Sequence, residues 1–488
     1  MQKAADLNYA SAVLGWDQEV YMPAKGADAR ARQLATLATT AHELLTSDNF
    51  GNLLTELATA GDLTDEQKCN VSLSNEDYQK NKKLSHEFVE ELSKLTSECF
   101  NAWLTAREQN DFALFAPSLS KMVALKRKQA SLYGYKDHPY NALLDEYEKG
   151  ANIAMLDVVF NGIKEQLPLL LNKIKSAPQV SNDCFHRNFP KQQQWDFSID
   201  VLKGMGFDFE AGRQDYSVHP FTTSFASTDV RITTRVDENN FSSMLWSCIH
   251  EGGHGLYEQG LPESQYGLPL GAATSLGIHE SQSRLWENCV GRSLGFWQHY
   301  FPVLQQYFPE QLKDISAQDF FKAANKVQPS LIRTEADELT YHFHVLIRYE
   351  IEKQLIEGTI EAEELPAKWN ELYHKYLGIT PPDHRSGVLQ DVHWSHGMFG
   401  YFPTYTLGSF YASQFFDQAL KEIPRLEAQI QTGEMAQLLA WLRTKVHQFG
   451  RRYTSEELCI AITGKKLDPA IFITQMTAKY QQVYGINF

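Results

Sequence analysis

Two histidines four residues apart, His250 and His254, with Glu251 beside the first, constrain this chain more than any other feature. Residues at i and i+4 of an α-helix lie on one face, a turn apart. Two imidazoles so placed grip one cation only where the segment is helical and rigid. The preceding residues predict such a helix: Phe241, Leu245, Cys248 and Ile249 form an apolar stripe, and Asn239 or Asn240 can cap its start. Ser243 and Ser247 continue the side that carries the histidines. Gly252 and Gly253 cost a helix roughly 1 kcal/mol each relative to alanine. That cost makes sense where backbone or substrate must approach closely. Alone, the five-residue pattern also fits a chance arrangement on a wet helix face.

The pattern His-Glu-x-x-His is the signature of metal-assisted peptide hydrolysis, with zinc the usual ion and the glutamate its general base. Such sites take three protein ligands and leave a position for water. Glu280, 26 residues beyond His254 on a second helical segment running toward Tyr300, is the favoured third ligand. His279, on the neighbouring face, is its rival. Position 260, six residues past His254, is glycine, which removes the all-histidine arrangement of extended zinc peptidases.

Composition narrows the class further. A net charge of −15 argues against nucleic acid as a partner, because phosphate backbones demand a positive surface. Six cysteines without a Cys-x-x-Cys pair read as ordinary reduced residues, with packing the expected task of Cys248. No apolar run approaches the length of a membrane span and no leader is evident, so a cytoplasmic protein without membrane contact is expected.

Helical periodicity runs through nearly all of the 488 residues. Ile153, Leu156, Phe160, Ile163, Leu167, Leu170 and Ile174 mark about six turns of one helix, and Glu335 to Ile356 reads as another, ended by Gly358. The period changes only between Tyr216 and Val236, where alternation and Thr, Val and Phe predict two or three short antiparallel strands. A strand edge beside a metal site can hold an extended peptide. The expectation is a mainly α single domain over 1–488, with a helical wall at 1–205, sheet and metal-binding helices at 206–300, and a second helical wall at 301–488.

Other residues have the right chemistry and a bland alternative. Arg333, read as opening the long helix, offers a guanidinium for a substrate carboxylate; Arg348, further along, reads as a surface or structural ion-pair residue. Gly387 to Trp394 gathers Gln390, Asp391 and His393 in one non-helical segment, as site-lining loops often do. There, Asp391 could orient His250 or His254 and His393 could donate to substrate, or the pair could simply tie down the loop. Tyr405 and His219 are further hydrogen-bond donors, each equally at home as a packing or turn residue.

Taken together, these segments resemble the M32 metallocarboxypeptidases, the family of carboxypeptidase Taq. The resemblance rests on His219-Pro220-Phe221, on Asp229, Arg231 and Thr233, and on His250 to His254. It extends to His279-Glu280-Ser281-Gln282, to Ile332-Arg333 with Ala336-Asp337, and to Gly387 through Trp394, in the family's order along essentially the whole chain. It implies a helical saddle with a deep groove, similar to neurolysin and angiotensin-converting enzyme, with a small antiparallel sheet beside the metal site. It implies a homodimer that removes C-terminal residues from peptides with a free C-terminus, with broad specificity and poor action at proline. His250, His254 and Glu280 then hold zinc, or cobalt in some preparations, and Glu251 is the general base. Arg333, His219 and Tyr405 hold the substrate carboxylate or stabilise the intermediate, and Asp229, Arg231, Thr233, Gln390, Asp391 and His393 line or support the site. An endo-oligopeptidase with the same metal site, or an inactive peptide-binding protein, are the alternatives.

Overall fold

Helices account for most of the chain, as the periodicity predicts, in a computed structural model that describes residues 1–487. They assemble into two compact units. One comprises Met1–Gln79, Val180–Ala324 and Gly408–Leu467; the other comprises Lys80–Gln179, Asn325–Leu407 and Asp468–Phe488. Among the described residues no helix is long and apolar enough to cross a membrane. No cysteine is in a disulfide, and Cys248 is buried against the carbonyl of Ser198.

In the first unit three helices matter most: α1 (Lys191–Met205), α2 (Phe241–Glu258) and α3 (Leu276–Arg284). The stripe read from the sequence is the buried face of α2, with Phe241, Leu245, Cys248 and Ile249 all nearly inaccessible. Asn240 stands at its N-cap position, but its Oδ1 accepts from the Ser242 hydroxyl at 2.6 Å and no side chain caps the helix. Ser247 turns to the sheet, sharing a 2.7 Å hydrogen bond with Thr234. The second helix does not continue unbroken toward Tyr300. It passes at Leu285 into a π-helical turn ending at Gly291, and a new α-helix starts at Leu294, capped by Ser293. Wide π turns of this kind are rare and occur often at functional sites.

The sheet has strands β1 (Gly212–Tyr216), β2 (Thr222–Ala226) and β3 (Asp229–Thr234), in the order β1-β3-β2. It is mixed rather than antiparallel throughout: β2 pairs β3 antiparallel, but β1 pairs β3 parallel, with Gly212 opposite Val230 and Asp215 opposite Thr233. The tight connection folds β2 back along one edge of β3. After two reversals β3 runs in the direction of β1, so β1 meets its free edge in parallel. Asp229 and Arg231 pair with each other at 3.0 Å, and Arg231 lies 4.3 Å over the Trp16 ring. Thr233 accepts from the Phe221 amide at 2.9 Å and from the Ser217 hydroxyl at 2.7 Å, fixing the exposed turn that carries His219. All three therefore have local structural partners.

The second unit is organised around α4 (Tyr341–Glu357), buried over almost its whole length and ended by Gly358 at φ 90°. Its start lies later than the sequence suggests. Asp337 accepts at Oδ1 from the amides of Leu339 and Thr340, both at 2.9 Å, and at Oδ2 from the Thr340 hydroxyl. These bonds hold residues 337–340 in a turn ahead of α4, and Arg333 stands in a separate one-turn 3₁₀ helix, Arg333–Glu335, and not on α4.

Candidate metal centre

His250 and His254 lie a turn apart on α2, their rings edge to face with centroids 4.9 Å apart, and Glu280 comes from α3. Glu280 Oε2 lies 3.6 Å from His250 Nε2 and 3.4 Å from His254 Nε2. An ion held tetrahedrally at 2.0–2.1 Å keeps its ligand atoms about 3.3 Å apart, so Glu280 Oε2 already stands from each imidazole nitrogen near the separation that a metal of zinc's size imposes, and all three ligand atoms lie within 4.8 Å of one another. Two imidazole nitrogens and one carboxylate oxygen also match the donor set of hydrolytic zinc sites. Among the described residues this is the single cluster of three such groups with metal-binding spacing.

Gly253 makes the convergence possible. A Cβ there would lie 2.7 Å from Ser283 Cα and 2.8 Å from the Gln282 carbonyl oxygen, both backbone atoms of α3 that have nowhere to go. The close approach anticipated for the glycines is thus helix against helix. At Gly252 the nearest atom is Leu202 Cδ2 of α1 at 2.6 Å, the end of a movable side chain. Gly408 similarly admits Glu280, whose Cγ would be 2.4 Å from an added Cβ. Gly253→Ala is expected to lower the melting temperature: forced separation of packed backbones costs about 1–3 kcal/mol, against a gain of about 1 kcal/mol in helix propensity. Metal affinity should fall with it, because the same spacing sets the distance between the histidines and Glu280. A melting curve and a zinc titration of the variant check both.

Each inner group is held from behind. His250 Nδ1 is 2.9 Å from Glu287 Oε2 in the π-helical turn, and Glu287 also pairs with Arg284 at 3.0 Å and Arg292 at 2.9 Å. Arg284 Nε donates to Glu280 Oε1 at 2.7 Å, leaving Oε2 turned to the histidines. His254 Nδ1 is 2.6 Å from His279 Nδ1, and His279 Nε2 is 2.7 Å from Glu258 Oε1. Both nitrogens of His279 are thereby engaged, one by His254 and one by Glu258, and it is not among the three groups whose ligand atoms converge. Thr222 donates to Glu251 Oε2 at 2.6 Å from strand β2.

Burial works against charge throughout this cluster, and the neighbours decide the outcome. For Glu280 and Glu287 burial opposes ionisation, but Arg284 and the imidazoles, with Arg292 at Glu287, hold both carboxyls well below the usual carboxylate range. Burial lowers His254 to about 3, keeping it a neutral donor, whereas at His250 the pull of Glu280 and Glu287 overcomes burial and raises the pKa. Glu251 is raised above an ordinary glutamate chiefly by burial, with His250 and Thr222 pulling it back down.

In the second unit Asp391 joins two buried guanidiniums. Its Oδ1 accepts from Arg333 Nε at 3.1 Å and Nη2 at 3.0 Å, and its Oδ2 from Arg348 Nε at 2.6 Å. The sequence reading offered Asp391 as a partner for a metal-binding histidine; Glu287 and His279 fill that place, and Asp391 is committed to arginines. Arg348 is fully buried rather than at the surface, and donates to Gln390 Oε1 at 2.9 Å as well. Gln390 Oε1 also accepts from the Arg333 amide, and Arg333 Nη1 donates to the Tyr341 hydroxyl at 3.1 Å. Tyr405 OH stands 3.5 Å from His393 Nε2, and burial lowers His393 to about 3.

Sequence reasoning missed Thr222, Glu258 and Glu287. Glu258 carried a signal: it is four residues past His254, on the same face of α2, whereas Glu287 lies beyond the α-to-π transition and meets His250 of α2 only through packing. Thr222 carried none, because only the packing of β2 on α2 brings it to Glu251.

Comparisons with known proteins agree in one direction. The profile of the carboxypeptidase Taq (M32) metallopeptidases matches residues 1–480. The thermostable carboxypeptidase 1 of Thermus thermophilus is 40% identical, the match covering 99% of this chain and 97% of that protein. A solved structure described as "The Structure of CHT" is 57% identical, with a TM-score of 0.97 over 98% of this chain and 97% of the other. The M32 carboxypeptidase of Deinococcus radiodurans superposes with a TM-score of 0.98 at 38% identity, over 99% of this chain and 98% of that one.

Proposed function

This chain belongs to the carboxypeptidase Taq (M32) metallopeptidase family and is a metal-dependent carboxypeptidase, and from that premise we propose the part each of its residues plays. His250, His254 and Glu280 hold the divalent ion, which we take to be zinc. The observation that carries this is the approach of Glu280 Oε2 to both Nε2 atoms at 3.4 and 3.6 Å. When bound, the ion supplies Lewis acidity toward a water and toward the scissile carbonyl. Glu251 accepts the proton of the attacking water at Oε1, since Thr222 occupies Oε2, and returns it to the leaving amine. Glu287 and Arg284 keep His250 and Glu280 aimed while the reaction proceeds.

Exopeptidase action requires a cation for the substrate's terminal carboxylate. We propose Arg333 for it on the chemistry of its fork of donors, with Tyr405, His393 and His219 as the proposed donors to substrate or intermediate. The substrate class is peptides with a free C-terminus. Digestion of one peptide with a free and with an amidated C-terminus tests the assignment. The wild type should release single residues from the free form only. Arg333→Ala should lose about 3 kcal/mol of that discrimination, on the order of a hundredfold in kcat/KM between the two substrates. A purely structural arginine would lower both rates together and leave their ratio intact. Elemental analysis should find one zinc per wild-type chain, and none after His250→Ala or Glu280→Ala.

A further inference from the structure

The two histidines of the metal centre are backed in different ways. His250 meets a carboxylate directly, Glu287, itself tied to two arginines. His254 meets a second imidazole, and the carboxylate comes one step later: His254 Nδ1 to His279 Nδ1 at 2.6 Å, His279 Nε2 to Glu258 Oε1 at 2.7 Å. The chain ends on β2, where the Ser224 hydroxyl donates to Glu258 Oε2 at 2.6 Å. Tyr257 packs edge-on against the His279 ring at 5.2 Å and holds its plane.

The direction of every hydrogen in this chain follows from one end. His254 Nε2 faces Glu280 Oε2 at 3.4 Å and must present a lone pair there to bind an ion. A neutral imidazole then carries its hydrogen on Nδ1. His279 Nδ1 has to accept that hydrogen, which leaves the His279 hydrogen on Nε2, pointing at Glu258. An acceptor–donor residue between ligand and carboxylate is therefore required, and a neutral histidine is one.

We propose that His279 and Glu258 form a positioning dyad for His254, fixing the tautomer and ring orientation in which its Nε2 is a ligand. The dyad makes no contact with the reacting atoms. It joins α2, through Glu258 one turn beyond His254, to α3, through His279 immediately before Glu280, and to the sheet through Ser224. A shift of α3 therefore moves the third ligand and the support of the second together. This inference rests on the ligand assignment proposed above.

Zinc affinity of the full-length protein, measured by competition with a chromophoric chelator, tests it, alongside the melting temperature of each metal-free variant. His254→Ala is the control for the ligand reading and should lose tight zinc binding. His279→Leu should bind zinc 10- to 100-fold more weakly, the usual effect of removing such a partner, in a metal-free protein that still unfolds cooperatively. His279→Gln, whose carbonyl accepts and whose amide donates, should recover most of the loss. Glu258→Gln should weaken binding several-fold, and carries the test if His279→Leu does not fold. Wild-type affinity in His279→Leu or Glu258→Gln overturns the dyad, as does a His279→Gln variant no better than His279→Leu. Wild-type affinity in His254→Ala overturns the ligand assignment itself, and the dyad with it.

Discussion

Glu251→Gln should leave a folded, zinc-loaded protein that no longer hydrolyses peptides, with kcat lowered by about 10³-fold or more. The substitution removes one capacity and little else. Glutamine has nearly the same shape, its amide oxygen can still accept from Thr222, and Glu251 is not among the three groups whose ligand atoms converge. An amide cannot take a proton from water, nor hand one to a leaving amine. The neutral side chain is also easily accommodated, because burial already disfavours the charge of Glu251. Release of single residues from an unblocked peptide, measured beside zinc content, separates chemistry from metal loss. Full zinc occupancy with more than a tenth of wild-type turnover would remove Glu251 from the role of general base.

Asp391→Ala is expected to be the most destabilising single change, costing about 3–5 kcal/mol. Arg333 is 6% exposed and Arg348 is inaccessible, and one carboxylate partners both. Its removal strands two buried guanidiniums with only neutral acceptors: the Gln390 oxygen, the His344 carbonyl and the Tyr341 hydroxyl. Asp391→Asn should cost less, since one amide oxygen can still serve one arginine. The pH dependence has a definite sign. Burial raises the pKa of Asp391, but Arg333 and Arg348 more than reverse this and hold it far below the usual carboxylate range. A depressed folded-state pKa gives stability that is complete above the unfolded value, about 3.9, and is lost as pH falls below it. The difference in melting temperature between wild type and Asp391→Asn should therefore stay constant from about pH 5 upward and shrink only in stronger acid. A gap that changes steadily across neutral pH would contradict this reading of the pair.

The helical character, the position of the sheet and the three converging side chains are legible in the sequence because each depends on local periodicity. Histidines four apart, a glutamate beside the first and a second helix with Glu280 need only the helical repeat to be recognised. The resemblance carried by the dispersed segments, from His219 to Trp394, extended this to the family. The differences fall where specific hydrogen bonds or packing contacts, which periodicity does not carry, override a local pattern. Asp337 stops a helix that composition would extend back to Glu335. The parallel pairing of β1 follows from which edge of β3 the hairpin leaves open. On sequence alone Gly252 and Gly253 carry the same expectation, room for backbone or substrate, yet only Gly253 faces immovable backbone.

What the amino-acid order determined alone was the set of side chains: two imidazoles and a carboxylate on helical segments, with a second glutamate beside them, because covalent spacing and the 3.6-residue turn settle which side chains share a face. Only the tertiary structure decided how those side chains are aimed. Glu287 behind His250, His279 and Glu258 behind His254, Thr222 behind Glu251 and Asp391 between two arginines are pairings of specific atoms. Hydrogen bonds and ion pairs act over about 3 Å, and the partners in each of these pairings lie at least 21 residues apart along the chain. Nothing short of the packed fold can say which of many eligible acids and hydroxyls ends up within that reach.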